Sequence, residues 1–370
     1  MIRLAKPFIS EAAVNNVLEI FESGDLVQGK YVKEFEIVLQ DYLKIDHSVL
    51  VSSGTAALHL SLMALGIGYG DEVIVPAFSF PATANVVEIV GAKPVLVDIN
   101  LDDYCMNVPD IEKVITDKTK AVIAVHEFGQ SADMESLMQS AQKHDLMVIE
   151  DAACALGTEY KGQKVGSFGD IGCFSFHPRK AVTTGEGGLV VSNNPDIADE
   201  VRALRNHGIS GKSDIIHPGL NYRMTDFQAA VGSAQMDSLE KAIEIRIEMA
   251  RTYNELLADC DYIITPAIFP ERKNVYQTYH ILLHDRINRE ELISCLYEDG
   301  VQTNFGANAL HCLTYYREKY GYEECDFPVA RKAYEKGLAL PCGPHMSNTD
   351  VEYICGKLLA DYQTGFYTKE

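Results

Sequence analysis

Residues 47–75 read HSVLVSSGTAALHLSLMALGIGYGDEVIV. Two short apolar runs, His47–Val51 and Glu72–Val75, flank a segment from Ala56 to Leu65 that reads as a helix. The unit repeats downstream. A helix from Thr83 to Val90 precedes the run Pro94–Val97, and further runs follow at Ala121–Val125, Met147–Glu150 and Gly172–Phe176. Continuous β-branched runs separated by helices predict a mainly parallel sheet buried on both faces, hence one large α/β domain.

Upstream, Ser10 is a good N-cap for a helix reaching about Ser23. Val14, Val17, Leu18 and Phe21 fall on one face, and Gly24 follows as a stop. Downstream, the pattern is helical from Asp237 to about Asp259, which predicts a connector. A strand at Tyr279–Leu283, a helix opening at Asn288 and a last helix near Asn348–Tyr362 suit a smaller α+β domain. The expected division is 1–245 and 246–370. A chain of 370 residues has the length of roughly two domains.

Composition narrows the function classes. A content of 47% hydrophobic and 23% charged residues excludes disorder and collagen-like fibre. The net charge of −21 argues against sequence-independent nucleic-acid binding and against an electrostatic membrane anchor. Nine cysteines, an odd number without C-x-x-C, suggest neither a disulfide framework nor a zinc cage, and fit reduced thiols in a cytoplasm. The N-terminus lacks the apolar core of a signal peptide, and no run reaches 18 apolar residues, so no membrane span is expected.

Ligands of open parallel sheets bind beyond the carboxyl ends of the strands, so reactive residues are sought there. Four segments stand out. Ser52-Ser53-Gly54-Thr55-Ala56-Ala57 links a strand to a helix, with small residues and free N–H groups suited to phosphate; a tight capped turn is the plainer reading. Glu150-Asp151 ends a buried run, where a carboxylate needs a partner such as a protonated ring nitrogen, or else caps the next turn. Ser175-Phe176-His177-Pro178-Arg179-Lys180 presents a lysine past a strand end, ahead of Gly185-Glu186-Gly187-Gly188. Most lysines are solvated surface residues, but one desolvated in a site forms imines. Gly219-Leu220-Asn221-Tyr222-Arg223-Met224-Thr225-Asp226 gathers polar and small residues before a helix that Thr225 can cap. A phosphate cradle, a carboxylate for a ring cation and an imine-forming lysine together make the binding kit of pyridoxal 5′-phosphate (PLP).

With these motifs in order, the chain resembles the DegT/DnrJ/EryC1/StrS family of PLP-dependent sugar aminotransferases. The resemblance runs from Ser53-Gly54-Thr55-Ala56-Ala57-Leu58-His59-Leu60 through Pro76-Ala77-Phe78-Ser79-Phe80 with Ala82-Thr83-Ala84-Asn85. It continues in Val125-His126-Glu127-Phe128-Gly129-Gln130, Glu150-Asp151-Ala152-Ala153, Ser175–Lys180 and Asn221-Tyr222-Arg223-Met224. It implies a type I PLP-dependent aminotransferase fold, with the N-terminal segment near the small domain, and a homodimer with shared active sites. Lys180 is then the Schiff-base lysine and Asp151 the pyridinium partner. Gly54, Thr55, Ala56 and Ser175 hold the phosphate, Phe80 stacks on the ring, and Asn221 reaches the phosphate from the other subunit. Cys154 lies near the cofactor, and His177, Tyr222 and His311 are the candidate substrate contacts. The implied reaction moves an amino group from L-glutamate to a keto nucleotide sugar by ping-pong half-reactions.

The chain departs from the family pattern at three places. Cys154 replaces a common Gln, Glu127 stands where an apolar residue is usual, and Gly306 replaces the first His of a segment whose second is His311. Arg179, Arg223 and Lys30 are candidate cations for a diphosphate, or plain solvated charges. A keto-sugar dehydratase of this family, which tends to lack the lysine, a cyclitol aminotransferase and a non-catalytic regulatory homologue are the alternative readings.

Overall fold

The computed structural model describes residues 1–211 and 213–363. Seven strands form the central sheet: β1 (His47–Val51), β2 (Glu72–Pro76), β3 (Lys93–Val97), β4 (Thr119–Val125), β5 (Met147–Asp151), β6 (Ile171–Ser175) and β7 (Gly188–Ser192). Their order is β1-β7-β6-β5-β4-β2-β3. All pairs are parallel except those of β7, which runs antiparallel to both β1 and β6. The expected mainly parallel α/β sheet is therefore present. Its interior strands are buried along almost their whole length, which is why they read as unbroken apolar runs rather than alternations.

The expected strand at Gly172–Phe176 is shifted by one residue, to Ile171–Ser175. Phe176 leaves the ladder. Its N–H donates to the Gly187 carbonyl, and its ring packs 5.4 Å from that of Phe35. Ser10 caps the helix Glu11–Ser23 as its sequence requires, accepting from the Ala13 N–H. That helix buries Ala13 and Ile20, whereas Val14, Leu18 and Phe21 stand about half exposed, with Phe8 64% exposed beside them. The apolar face read from the sequence is thus turned away from the chain's own core.

A second, three-stranded antiparallel sheet has Tyr279–Leu283 between Ile263–Ile264 and Gly337–Leu340. One cluster joins it to the long helix Met236–Leu256, through Met249 and Tyr253, and to the final helix Asn348–Gln363, through Ile354 and Leu358. The N-terminus closes on this part of the chain, where Ile2 bridges to Val301 and bonds to the backbone of Gly300 and Gln302.

Two carboxylates tie distant segments together by capping helices that are not their own. Asp226 accepts from the N–H groups of Gly29, Tyr31 and Val32 at the start of the helix Lys30–Leu43. Asp98 does the same for Val329 and Ala330 in the helix Pro328–Lys336. Each satisfies N–H donors that a helix cannot pair internally, and hydrogen bonds to a charged group are worth about 1.5–3 kcal/mol apiece. Asp226, singled out in the sequence for its polar surroundings, is accounted for by this task, and Thr225 caps its own helix with Gln228. All nine cysteines are free thiols. Among the described residues no helix is long and apolar enough to cross a membrane.

Candidate active site

A cavity of about 490 Å³ opens at the carboxyl ends of β1, β4, β5 and β6, between the central sheet and the segment around the second sheet. It gathers Gly54, Thr55, Phe80, Asp151, Cys154, Ser175, His177 and Lys180. Eight of the twelve residues singled out in the sequence therefore share one wall or another of this space. Ala56, Asn221, Tyr222 and His311 lie outside its lining. Ala56 is buried in the first helical turn and gives its N–H to Ser53 Oγ at 3.0 Å. Tyr222 holds its hydroxyl 3.3 Å from His59 Nδ1, and its carbonyl accepts the Ser52 N–H. Asn221 is exposed and bridges to Asn206. His311 is fully buried against Phe327, and that burial pushes its imidazole below the ordinary value.

Two glycines allow the close approaches of the cradle. A Cβ on Gly54 would sit 2.9 Å from Ser175 Cβ, so the helix Gly54–Ala64 can begin directly beside the end of β6. A Cβ on Gly188 would meet the Ser53 carbonyl oxygen at 2.3 Å, which presses the start of β7 against the same turn. The result is a helix N-terminus and a serine hydroxyl facing one point, the arrangement that holds a phosphate.

Asp151, at the end of β5, is 5% exposed. Its Oδ2 accepts from Thr83 Oγ1 at 2.8 Å and its Oδ1 from the Ala153 N–H at 3.2 Å. Thr83 has one hydroxyl proton and spends it on Asp151, so its 2.9 Å contact with Ser79 must be donated by Ser79. Burial raises the Asp151 carboxyl above the usual range, against the pull of these bonds and of the Lys180 charge. Below it, His126 Nδ1 accepts the Ala132 N–H, so the ring proton is on Nε2 and donates to Glu150 at 3.0 Å. Glu150 takes three further backbone N–H groups, from Gly166, Phe168 and Gly169. This buried carboxylate is fully bonded and braces the floor of the site.

Lys180 lies in the turn after β6, and its Nζ donates to Cys154 Sγ at 2.9 Å. Burial pushes the Cys154 thiol up, so it stays protonated beside the amine. Phe80 is 70% exposed, its ring open to the cavity, while Phe78–Ser79 before it pairs with Asn308–Ala309. His177 Nδ1 accepts the Arg179 N–H, and burial lowers its imidazole. Of the three candidate cations only Arg179 lines the cavity. Lys30 pairs with Glu34 at the surface, and Arg223 bonds Asn206.

Sequence reasoning gave no role to Ser79 and Thr83, whose hydroxyls meet because the strand Phe78–Ser79 turns directly into the helix Ala82–Ile89. It also gave none to Gln277 and Thr278, which reach the cavity from the C-terminal part of the chain together with Gly306, already marked as a departure from the family pattern, and its neighbour Ala307. The first segment is held there by bonds from the Val275 and Thr278 N–H groups to the Gly129 and Phe128 carbonyls and the second by the pairing of Asn308–Ala309 with Phe78–Ser79, contacts that no local pattern announces.

The DegT/DnrJ/EryC1/StrS aminotransferase family matches residues 7–359. The uncharacterized protein MJ1066 of Methanocaldococcus jannaschii is 40% identical over 361 residues, covering 94% of each chain. A GDP-perosamine synthase of Escherichia coli O157:H7 is 38% identical over 333 residues, covering 89% of each. Among solved structures, the PLP form of Spr1654 from Streptococcus pneumoniae superposes with a TM-score of 0.90 at 32% identity, over 95% of this chain and 96% of that one. The fold is that of the PLP-dependent aminotransferases, and the cofactor is pyridoxal 5′-phosphate. The residues present fit it: the Gly54–Ser175 cradle suits its phosphate, buried Asp151 its ring cation, and Lys180 its carbonyl carbon.

Proposed function

The chain belongs to the DegT/DnrJ/EryC1/StrS aminotransferase family, and from that premise we propose that it transfers an amino group from L-glutamate to a keto group of a nucleotide-linked sugar. The observation that carries this reading is the meeting of Lys180, buried Asp151 and the Gly54–Ser175 cradle in one cavity. Its similarity to a GDP-perosamine synthase supports an acceptor carried on a nucleotide, and Arg179 is the cavity cation available for a diphosphate.

When bound, PLP supplies a carbonyl carbon that amines join and a cationic ring that accepts an electron pair. The protein's own residues do the rest. The Asp151 carboxylate holds the proton on the ring nitrogen, and Thr83, oriented by Ser79, fixes the carboxylate. The N–H groups of Gly54 and Thr55 and the Ser175 hydroxyl hold the phosphate, with Ala56 completing the turn behind them. Phe80, open to the cavity, would cover one ring face. Lys180 Nζ would take the proton from the substrate carbon that bears nitrogen, as general base, and then as general acid deliver it on the cofactor side of that nitrogen. Cys154 Sγ, accepting from Nζ, aims that amine. His177 contacts the substrate from the wall of the cavity.

The cofactor absorbs at a wavelength that depends on whether it is joined to Lys180, so the test is a spectrum of the loaded enzyme before and after L-glutamate. The expected result is conversion of the yellow band to that of the pyridoxamine form, reversed by a keto nucleotide sugar, as two separate half-reactions require. A band that glutamate leaves unchanged overturns the donor. A pyridoxamine form that no keto nucleotide sugar reverses overturns the acceptor.

The working unit in this proposal is a homodimer. The exposed apolar group Phe8, Val14, Leu18 and Phe21 is the surface a second copy covers, and exposed Asn221 is free to serve the partner's site. Light scattering is expected to give twice the chain mass; a single-chain mass overturns this. The cytoplasm, which keeps nine free thiols reduced, is the proposed compartment.

A further inference from the structure

Glu127 is a carboxylic side chain that the reading above leaves unused. It follows β4, is 5% exposed, and lines the same cavity as Asp151, Cys154 and Lys180. Phe128, next to it, is held at φ 56°, a left-handed conformation uncommon for a bulky residue, with its ring stacked 4.3 Å from that of His280. The Glu127 side chain is thereby clamped facing the cavity. Its carboxyl takes the N–H of Phe128, and among the described residues no side chain donates to it.

The groups around Glu127 leave it one state. Asp151 faces it from the end of β5 as a second acid. Cys154 faces it from the following turn with a thiol that already accepts from Lys180. Buried Cys105 adds another neutral thiol, and His126 beside it is engaged with Glu150 and Ala132. Lys180, the one cation acting on it among the described residues, pulls the other way. Two carboxylates cannot both ionise cheaply in such a space, and a phosphate-bearing ligand adds further negative charge. Burial and the Asp151 charge together raise the Glu127 carboxyl to about 8.

We propose that Glu127 works as a neutral carboxylic acid whose O–H donates a hydrogen bond to an oxygen of the bound cofactor. The donor is needed because its neighbours are committed: Thr83 gives its proton to Asp151, and Cys154 accepts from Lys180. No bond to hydrogen is broken. Ionisation of Glu127 removes the donor and puts a repelling charge in its place. This rests on the cavity being the cofactor site.

The test measures the affinity of pyridoxamine 5′-phosphate for the cofactor-free protein from pH 6.5 to 9.5, in wild type, Glu127→Gln and Glu127→Leu. The Gln variant keeps an N–H donor without an acid, so its profile differs from wild type by the ionisation of Glu127 and the repulsion that ionisation exerts on its neighbours. Relative to Gln, wild-type affinity is expected to fall about tenfold between pH 7 and 9, following the loss of one proton from Glu127. The Leu variant is expected to bind about three- to tenfold more weakly than wild type at pH 7, the worth of one hydrogen bond. Parallel wild-type and Gln profiles, or undiminished binding by Leu at pH 7, overturn the proposal while leaving the cofactor site standing. Wild type that binds no pyridoxamine 5′-phosphate at any pH overturns the site and the donor together.

A second readout needs no ligand. A buried acid whose folded value is raised contributes stability that is fully present below its unfolded value of 4.5 and is lost as pH rises to about 8. Thermal midpoints of the cofactor-free protein are expected to fall across that window in wild type more than in Glu127→Gln. Equal slopes overturn the neutral acid.

Discussion

Lys180→Ala is expected to lower transamination by at least about 10³-fold, because one substitution removes both the covalent anchor and the group that moves the substrate proton. The folded protein loses little, since Nζ makes a single hydrogen bond, to Cys154. Two measurements separate the losses. Borohydride reduction followed by mass analysis should fix the cofactor to wild type and leave the variant unmodified. Single-turnover mixing with glutamate should show the proton-transfer step arrested. Substantial turnover by Lys180→Ala would remove Lys180 from the centre of the mechanism and with it the aminotransferase reading of the cavity.

Asp151→Asn separates charge from shape. Asparagine keeps the shape and one acceptor oxygen, which can take the Ala153 N–H while its amide N–H donates to a reoriented Thr83 hydroxyl, but it cannot keep a ring nitrogen protonated. Turnover is expected to fall by about 10²-fold or more, the scale of a lost charge-assisted bond acting in the transition state. Stability should move the other way. In the cofactor-free protein the buried carboxylate is unfavourable, as its raised titration records, so the Asn variant should melt at or above the wild-type temperature at neutral pH. Adding cofactor should then stabilise wild type more than the variant. Unchanged turnover, or a cofactor-free variant that melts well below wild type, would assign Asp151 a purely structural place.

Much of this molecule is legible from local pattern, and the illegible parts share one property. The runs Val49–Val51, Val73–Val75 and Val148–Ile149 are apolar because both of their faces are covered, so the central sheet announces itself. Ser10, Asn288 and Thr225 fix helix starts through bonds within four residues, which sequence spacing shows directly. Asp226 and Asp98 do the same work across about 200 residues, and nothing near them in the chain reveals it. The site divides along the same line. Lys180 and Asp151 lie at the ends of strands that pattern predicts. Glu127 is held neutral by burial and by Asp151, a neighbour that only the fold brings to it, against the pull of Lys180. The short pairing of Phe78–Ser79 with Asn308–Ala309, too brief for a periodic signal, brings the C-terminal part of the chain to the cavity wall.

The walls of the cavity are drawn from Leu4 and Ala5 at one extreme and from Leu340 at the other. During synthesis the ribosome releases these pieces far apart in time. The sheet that carries Asp151 and Lys180 can collapse early, while Gln277, Gly306 and Leu340 are still to come. Closure of the cavity is therefore a late event in the life of the nascent chain. A truncated product ending before Leu340 would carry both principal reactive residues in an unfinished, open-sided site.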